Sequence, residues 1–208
     1  MRAHSEFGKL ISLFLKKASA SFIDDTHISQ HWEALNYLGK PDIAKALQEY
    51  DAFEQILKDH GAEVLYFPPN DNVNMDSIYC RDAAIATSKG MIICNMGKEG
   101  RINEPAAQER AFESNGIPVL GVIAAPGTLE GGDVAWLDDK TLAVGHTYRT
   151  NEEGIRQLSA LLAPLGVSVL PVAMPHYKGP SDVFHLMSVL SPVDSKLAVV
   201  YSPLIPIV

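Results

Sequence analysis

Apolar residues along this chain follow two alternating rhythms, and the alternation itself repeats. Between Pro41 and His60, the residues Ile43, Ala46, Leu47, Tyr50, Phe53, Ile56 and Leu57 fall three and four positions apart, the spacing of one helical face. Pro41 suits the first turn of that helix and Asp42 its positive end. A helix over 151–164 is expected to open at Asn151-Glu152-Glu153-Gly154 and to bury Ile155, Leu158, Leu161 and Leu162. A weaker one over 103–115 has only Ala106, Ala107, Ala111 and Phe112 for its inner stripe.

Each helix runs into a glycine and then a short apolar strand. The glycines are Gly61, Gly116 and Gly166, 55 and 50 residues apart. Such a residue suits the left-handed conformation just past a helix. After each strand come a polar loop and two apolar runs joined by a turn. These pairs are 83–87 with 91–94, 134–137 with 142–144, and 186–190 with 197–201. They read as hairpins. The repeating unit is therefore strand, loop, hairpin, helix, with a partial first copy beginning at a strand over 10–15. The fold class is α/β, with 1–208 as one domain. The third hairpin ends near Tyr201, where a further helix is due, so the array is expected to stop inside a unit.

Composition narrows the functions open to such a fold. In 208 residues, 47% are hydrophobic and 20% charged, enough for a buried core and far from a disordered composition. A formal net charge of −8 argues against nucleic acid and anionic membrane as partners and suits a small cationic ligand. No apolar run reaches the roughly 18 residues of a membrane span. The start, Met1-Arg2-Ala3-His4-Ser5-Glu6, lacks a signal peptide's apolar stretch, so the cytoplasm is the expected compartment. Two cysteines, Cys80 and Cys94, make no disulfide framework and read as packing thiols. Phosphate-cradling glycine loops are missing, and His146 and His176 lack zinc spacing. Ser188 sits in no nucleophile elbow. Neither a cofactor nor a metal is expected; a homodimer is left open.

The loops after the glycine strands carry the chemistry: Asp76 and Asp82 in one unit, Glu130 and Asp133 in the next, His185 in the third. Each has a structural reading when taken singly. Asp76 suits a turn, Asp82 a pairing with Arg81, Glu130-Gly131-Gly132-Asp133 a tight turn, and His185 a core position between Phe184 and Leu186. Their recurrence at matching positions favours convergence at one end of the units. Carboxylates around a histidine suit a planar guanidinium, whose fork of N–H donors pairs with carboxylates two at a time. A histidine there exchanges protons near neutral pH.

Four segments carry a family resemblance. Asp76-Ser77-Ile78-Tyr79-Cys80-Arg81-Asp82, Thr128-Leu129-Glu130-Gly131-Gly132-Asp133-Val134, Gly145-His146-Thr147-Tyr148-Arg149-Thr150 and Phe184-His185-Leu186-Met187-Ser188 occur in the order found in guanidine-modifying enzymes. The chain resembles the dimethylarginine dimethylaminohydrolase and amidinotransferase family. That resemblance implies a fivefold α/β propeller, the pentein fold, here incomplete. It implies that Asp82 and Asp76 hold guanidinium nitrogens and that Glu130 pairs with His185 or the substrate. His185 would be the general acid and base, Asp133 would join the substrate site, and Arg149 and Arg101 would bind a substrate carboxylate. The family's nucleophile is a late cysteine that forms a thiouronium intermediate. No cysteine follows Cys94, and Met187 stands where deiminases and transferases carry an acidic residue.

Two functions of different class follow. One is a C–N hydrolase acting on arginine-like substrates, with an amidinotransferase or deiminase as its variant. The other is a non-catalytic member or remnant that binds a guanidino ligand.

Overall fold

The computed structural model describes residues 5–69, 72–180 and 184–205. The expectations placed on the first four residues and on the last three fall outside them. The chain divides into two compact units, one of Lys9–Cys80 and one of Met1–Gly8 with Arg81–Val208.

In the unit Lys9–Cys80, β1 (Ser12–Leu15) is followed by α1 (Ala18–Phe22), α2 (Asp25–His31), α3 (Ile43–Asp59) and β2 (Glu63–Tyr66). β1 and β2 pair in parallel from Ser12 with Glu63 to Leu15 with Tyr66. Parallel neighbours need a long crossover, which the intervening helices supply. The carboxylate of Asp42 caps α3 by accepting from the Lys45 N–H at 3.0 Å, so Pro41 lies outside the helix rather than in its first turn. Ile43, Ala46, Leu47 and Tyr50 pack against Ala18, Phe22, Ile28 and Met75, as the stripe predicted. The stripe does not continue: Phe53 and Ile56 are exposed, and the buried residue of the last turns is Glu54. It accepts from the Lys58 ammonium and from the Tyr66 hydroxyl, both at 2.5 Å, so an ion pair rather than an apolar seam closes that end. α1 and α2 were not expected from the sequence, although Asp24 caps α2 through the His27 N–H at 2.7 Å.

The second unit contains β3 (Ala84–Thr87), β4 (Gly90–Ile93), α4 (Glu104–Ser114), β5 (Val119–Val122), β6 (Val134–Trp136), β7 (Thr141–His146), α5 (Glu152–Leu162), β8 (Ser168–Ala173), β9 (Leu190–Asp194) and β10 (Leu197–Val200). β3 and β4 form a hairpin and β5 joins β4 in parallel; β6, β7 and β8 repeat the arrangement. In this unit the strands after Gly116 and Gly166 thus each pair with the hairpin before them, and the helix is the crossover between. Gly61, Gly116 and Gly166 have φ of 78°, 69° and 71°, the left-handed caps expected of them.

The third hairpin is displaced from its expected place. Its strands are β9 and β10, and Leu186–Ser188 is a turn of 3-10 helix. The Leu186 N–H is drawn away from strand pairing by the Asp133 carboxylate, to which it donates at 3.2 Å. The helix α4 also differs from expectation: Ala106 is exposed, while Glu104, Pro105, Gln108, Ala111 and Phe112 are buried. Between the sheets and α5 lie Ile92, Leu129, Leu142, Val144, Leu158 and Leu162, all fully buried. Each contributes about 1.5–3 kcal/mol relative to an exposed position. No helix among the described residues is long and apolar enough to cross a membrane.

Candidate functional site

A row of buried charged groups runs along one end of the second unit. Asp82 precedes β3, Arg101 and Glu104 flank the start of α4, and Glu130 and Asp133 bracket a 3-10 turn at the start of β6. Arg149 lies between β7 and α5, and His185 caps the turn Leu186–Ser188. All seven are buried. An isolated buried charge is costly, so such groups must meet one another.

They meet in a chain of contacts. The Arg101 guanidinium grips Glu104 in a fork, Nε to Oε1 at 2.8 Å and Nη2 to Oε2 at 2.7 Å. Its Nη1 donates to Asp82 Oδ2 at 2.6 Å. Burial alone would lower the Arg101 pKa, but Glu104 and Asp82 outweigh it and raise it. Glu130 Oε1 accepts from the Lys98 N–H at 2.9 Å and lies 3.4 Å from Arg149 Nη1. His185 stands between two carboxylates, with Nδ1 3.2 Å from Asp133 Oδ1 and Nε2 3.4 Å from Glu130 Oε2. Neither approach has hydrogen-bond alignment. Burial pushes the His185 pKa down, but Asp133, Asp82 and Glu130 together raise it, so the imidazolium is favoured.

Asp82, Glu130 and His185 each offer an atom within 4.8 Å of the others, close enough to share one cation. Close packing beneath them depends on the two glycines. A Cβ on Gly132 would stand 2.6 Å from His185 Cδ2 and 2.8 Å from Asp82 Oδ1, and one on Gly131 would stand 2.2 Å from the Arg81 carbonyl oxygen. Glu130-Gly131-Gly132-Asp133 is therefore a close-approach site as well as a turn. A groove of about 640 Å³ elsewhere on this unit runs between α5 and β8 along Ile155, Ala160, Ala163 and Pro171. Of the seven charged groups it holds none.

Among the sequence candidates, the structure brings together Asp82, Glu130, Asp133, Arg149 and His185. Arg101 is also there, but its guanidinium is already engaged by Asp82 and Glu104, which stands against the carboxylate-binding part expected of it. Asp133 is fully buried beneath His185. Asp76 belongs to the other unit. There it is buried in the 3-10 turn Met75–Ile78, and burial, Tyr79 and Asp76 together push the Tyr37 pKa up. Glu104, Thr147 and Thr150 were missed as site residues. The spacing of Arg101 and Glu104, three apart at a helix start, was the available signal for the first.

The structure is thus of the mixed α/β class, with an arginine-braced cluster of buried carboxylates around a histidine. The comparisons give its family. A family model described as N,N dimethylarginine dimethylhydrolase, eukaryotic, matches residues 19–207. The chain belongs to the dimethylarginine dimethylaminohydrolase family. It is 36% identical over 165 residues to the N(G),N(G)-dimethylarginine dimethylaminohydrolase of Streptomyces coelicolor, covering 79% of this chain and 60% of that one. With the protein of that name from Pseudomonas aeruginosa it shares 35% over 133 residues, covering 64% and 52%. The chain thus spans little more than half the length of these relatives. A solved structure of a cysteine-to-serine variant of the Pseudomonas aeruginosa protein, complexed with citrulline, superimposes with a TM-score of 0.72 at 29% identity, covering 89% of this chain and 67% of that one. The N-terminal domain of a cyanobacterial arginine dihydrolase has a TM-score of 0.75 at 17% identity, covering 94% and 68%, a likeness of fold.

Proposed function

We propose that this chain supplies the guanidinium-binding and proton-transfer groups of a dimethylarginine dimethylaminohydrolase-like C–N hydrolase. The observation that carries this is a charge imbalance. Among the described residues of the second unit, the buried ionisable pairs set four carboxylates, Asp82, Glu104, Glu130 and Asp133, against Arg101, Arg149 and a protonated His185. One negative charge is left over where Asp82, Glu130 and His185 converge. A guanidinium neutralises that excess and matches carboxylate geometry with its fork of N–H donors.

In this reading Asp82 and Glu130 hold guanidinium nitrogens, and Arg149 takes the ligand's carboxylate. We keep Asp76 as a substrate-binding carboxylate on the strength of its motif. Arg101 becomes a positioning residue that aims Asp82. His185 protonates the departing amine when a thiolate attacks the guanidinium carbon, and later takes a proton from the water that cleaves the thiouronium. We also place the repeated hairpin, helix and strand in a fivefold propeller, with 1–208 forming part of one such domain.

Neither cysteine of the chain fits the nucleophile. Cys94 is buried, and burial together with Asp82, Glu130 and Asp133 pushes its thiol well up, away from the reactive thiolate. The Cys80 thiol is spent on the Phe14 carbonyl oxygen at 3.6 Å in the other unit. This placement also favours the second reading, a protein that binds guanidino ligands without turnover when the 208 residues stand alone. Calorimetry with citrulline, arginine and agmatine, run beside assays for dimethylamine, citrulline and urea, tests both. The expected result is binding without product, weakened in Asp82→Asn. Absence of any binding sinks the proposal, and product that disappears in Cys80→Ala makes Cys80 the nucleophile.

A further inference from the structure

The side chain of Asp133 is fully enclosed, so every lone pair it uses must be met by protein. Its Oδ2 accepts from two hydroxyls, Thr147 Oγ1 at 2.7 Å and Thr150 Oγ1 at 2.6 Å. Its Oδ1 faces the Leu186 N–H at 3.2 Å and His185 Nδ1 at 3.2 Å. The direction of the two hydroxyl bonds is fixed by their other partners. Thr147 Oγ1 receives the N–H groups of Arg149 at 2.9 Å and Thr150 at 3.1 Å, and Thr150 Oγ1 receives the Glu130 N–H at 3.2 Å. An amide N–H can only donate, so each hydroxyl accepts on that side and has its single proton left for Asp133. Asp133 is then an acceptor through both oxygens, with Oδ2 anchored and Oδ1 3.2 Å from His185 Nδ1.

An oxygen that only accepts selects which ring nitrogen carries hydrogen. Both ring nitrogens face a carboxylate oxygen, but Asp133 Oδ1 is the nearer at 3.2 Å from Nδ1, against 3.4 Å for Glu130 Oε2 at Nε2, and Glu130 also faces Arg149. The proton of neutral His185 is therefore assigned to Nδ1, and Nε2 is the atom that gains and loses one. The groups facing the ring are Asp133 at Nδ1, Glu130 Oε2 at Nε2 and Asp82, which packs with it over Gly132. Behind them, Arg149 lies against Glu130 and Arg101 against Asp82. We propose that Thr147 and Thr150 are positioning residues that act through Asp133 to hold His185 in its Nδ1–H form and leave Nε2 as the proton-exchanging atom. The proposal rests on the acid–base part given to His185 above and deepens it. It gives the Gly145–Thr150 segment a task besides presenting Arg149: two hydroxyls tie together the backbone of Glu130, the backbone of Arg149 and the carboxylate beside His185.

The test is long-range proton–nitrogen NMR on the 208-residue chain labelled at its seven histidines, with His185 assigned by the signals lost in His185→Gln. Above the pKa of His185, the wild-type spectrum should show the Nδ1–H tautomer as the major form. Thr147→Val and Thr150→Val keep shape but cannot donate to Asp133, and each should shift the ring toward a mixture of tautomers and lower its pKa. Thr150→Ser, which restores the hydroxyl, should recover the wild-type pattern. If Thr150→Val does not fold, the half-buried Thr147 still carries the comparison. Folded Val variants that retain the Nδ1–H form with unchanged titration would overturn the proposal, as would a wild-type ring protonated on Nε2. Because the spectra need neither ligand nor turnover, failure to bind guanidino compounds with the tautomer pattern intact would count against the proposed function alone.

Discussion

Arg101→Met separates the two parts that Arg101 has been given. The substitution keeps an unbranched, flexible stem but removes the cation from between Asp82 and Glu104. Arg101 and Glu104 are only 5% and 2% exposed, so water cannot take over the lost bonds. Removing one partner of a buried ion pair costs about 3–5 kcal/mol, because the remaining charge is left uncompensated. In a chain of this size each kcal/mol moves the unfolding midpoint by roughly 2–4 °C, so the drop should be on the order of 10 °C. Adding Glu104→Gln removes one stranded charge and should return part of that loss. The binding readout discriminates further. If Arg101 bound a ligand carboxylate, its loss would weaken arginine and spare agmatine, which has no carboxylate. As the residue that aims Asp82 at the guanidinium, its loss should weaken both by a similar factor. Scanning calorimetry and isothermal titration with the two ligands provide the measurements. A variant that unfolds within about 1 kcal/mol of wild type, less than the cost of stranding a buried carboxylate, would refute the reasoning, as would one that loses only arginine.

The His185 pKa is raised in the folded chain, so its interactions add stability that is fully present below the unfolded value near 6.5 and fades as pH rises through the folded value. The stability gap between wild type and His185→Gln should therefore narrow as pH rises from about 6.5 upward, as unfolding scans across a pH series would reveal; a constant gap would contradict the imidazolium. Gly132→Ala places a methyl against His185 and Asp82 and should cost about 1–3 kcal/mol while abolishing guanidino binding. Gly166→Ala meets no neighbour but must hold φ near 71°, so it should cost about 1–2 kcal/mol and leave binding untouched. Equal binding defects in the two glycine variants, measured by titration calorimetry, would remove the close-packing argument. Asp82→Asn keeps size and loses charge, and should weaken agmatine binding by about 1.5–3 kcal/mol, the worth of a hydrogen bond to a charged group.

What the sequence disclosed follows the range of the physics involved. Left-handed glycines are decided within a turn of chain, and Gly61, Gly116 and Gly166 take the conformation their context requires. Short-range periodicity likewise gave α5, whose Ile155, Leu158 and Leu162 are buried. The same rule misjudged α4, since an alanine stripe says nothing of an arginine outside the helix that draws Glu104 inward. It also misjudged the end of α3, where Glu54 takes the buried position between Phe53 and Ile56 because Lys58 and Tyr66 both donate to its Oε1. The third hairpin slid for a comparable reason: Leu186 and Met187 have strand character, but an acceptor 53 positions earlier captures the Leu186 N–H.

The candidate site divides along the same line. Residue types with few cheap ways to be buried, such as Asp82, Glu130 and His185, stood out as soon as their repeat positions were aligned. Thr147 and Thr150 did not, because a threonine is equally at home on a surface, in a strand or at a cap, and only its bonding partners distinguish these. Those partners lie 14 and 17 residues back, on Asp133. The hydroxyls determine a proton's location without bearing a charge of their own. Residues that set the protonation state of a neighbour are thus hard to read from sequence, while the neighbour, being ionisable and buried, is comparatively easy.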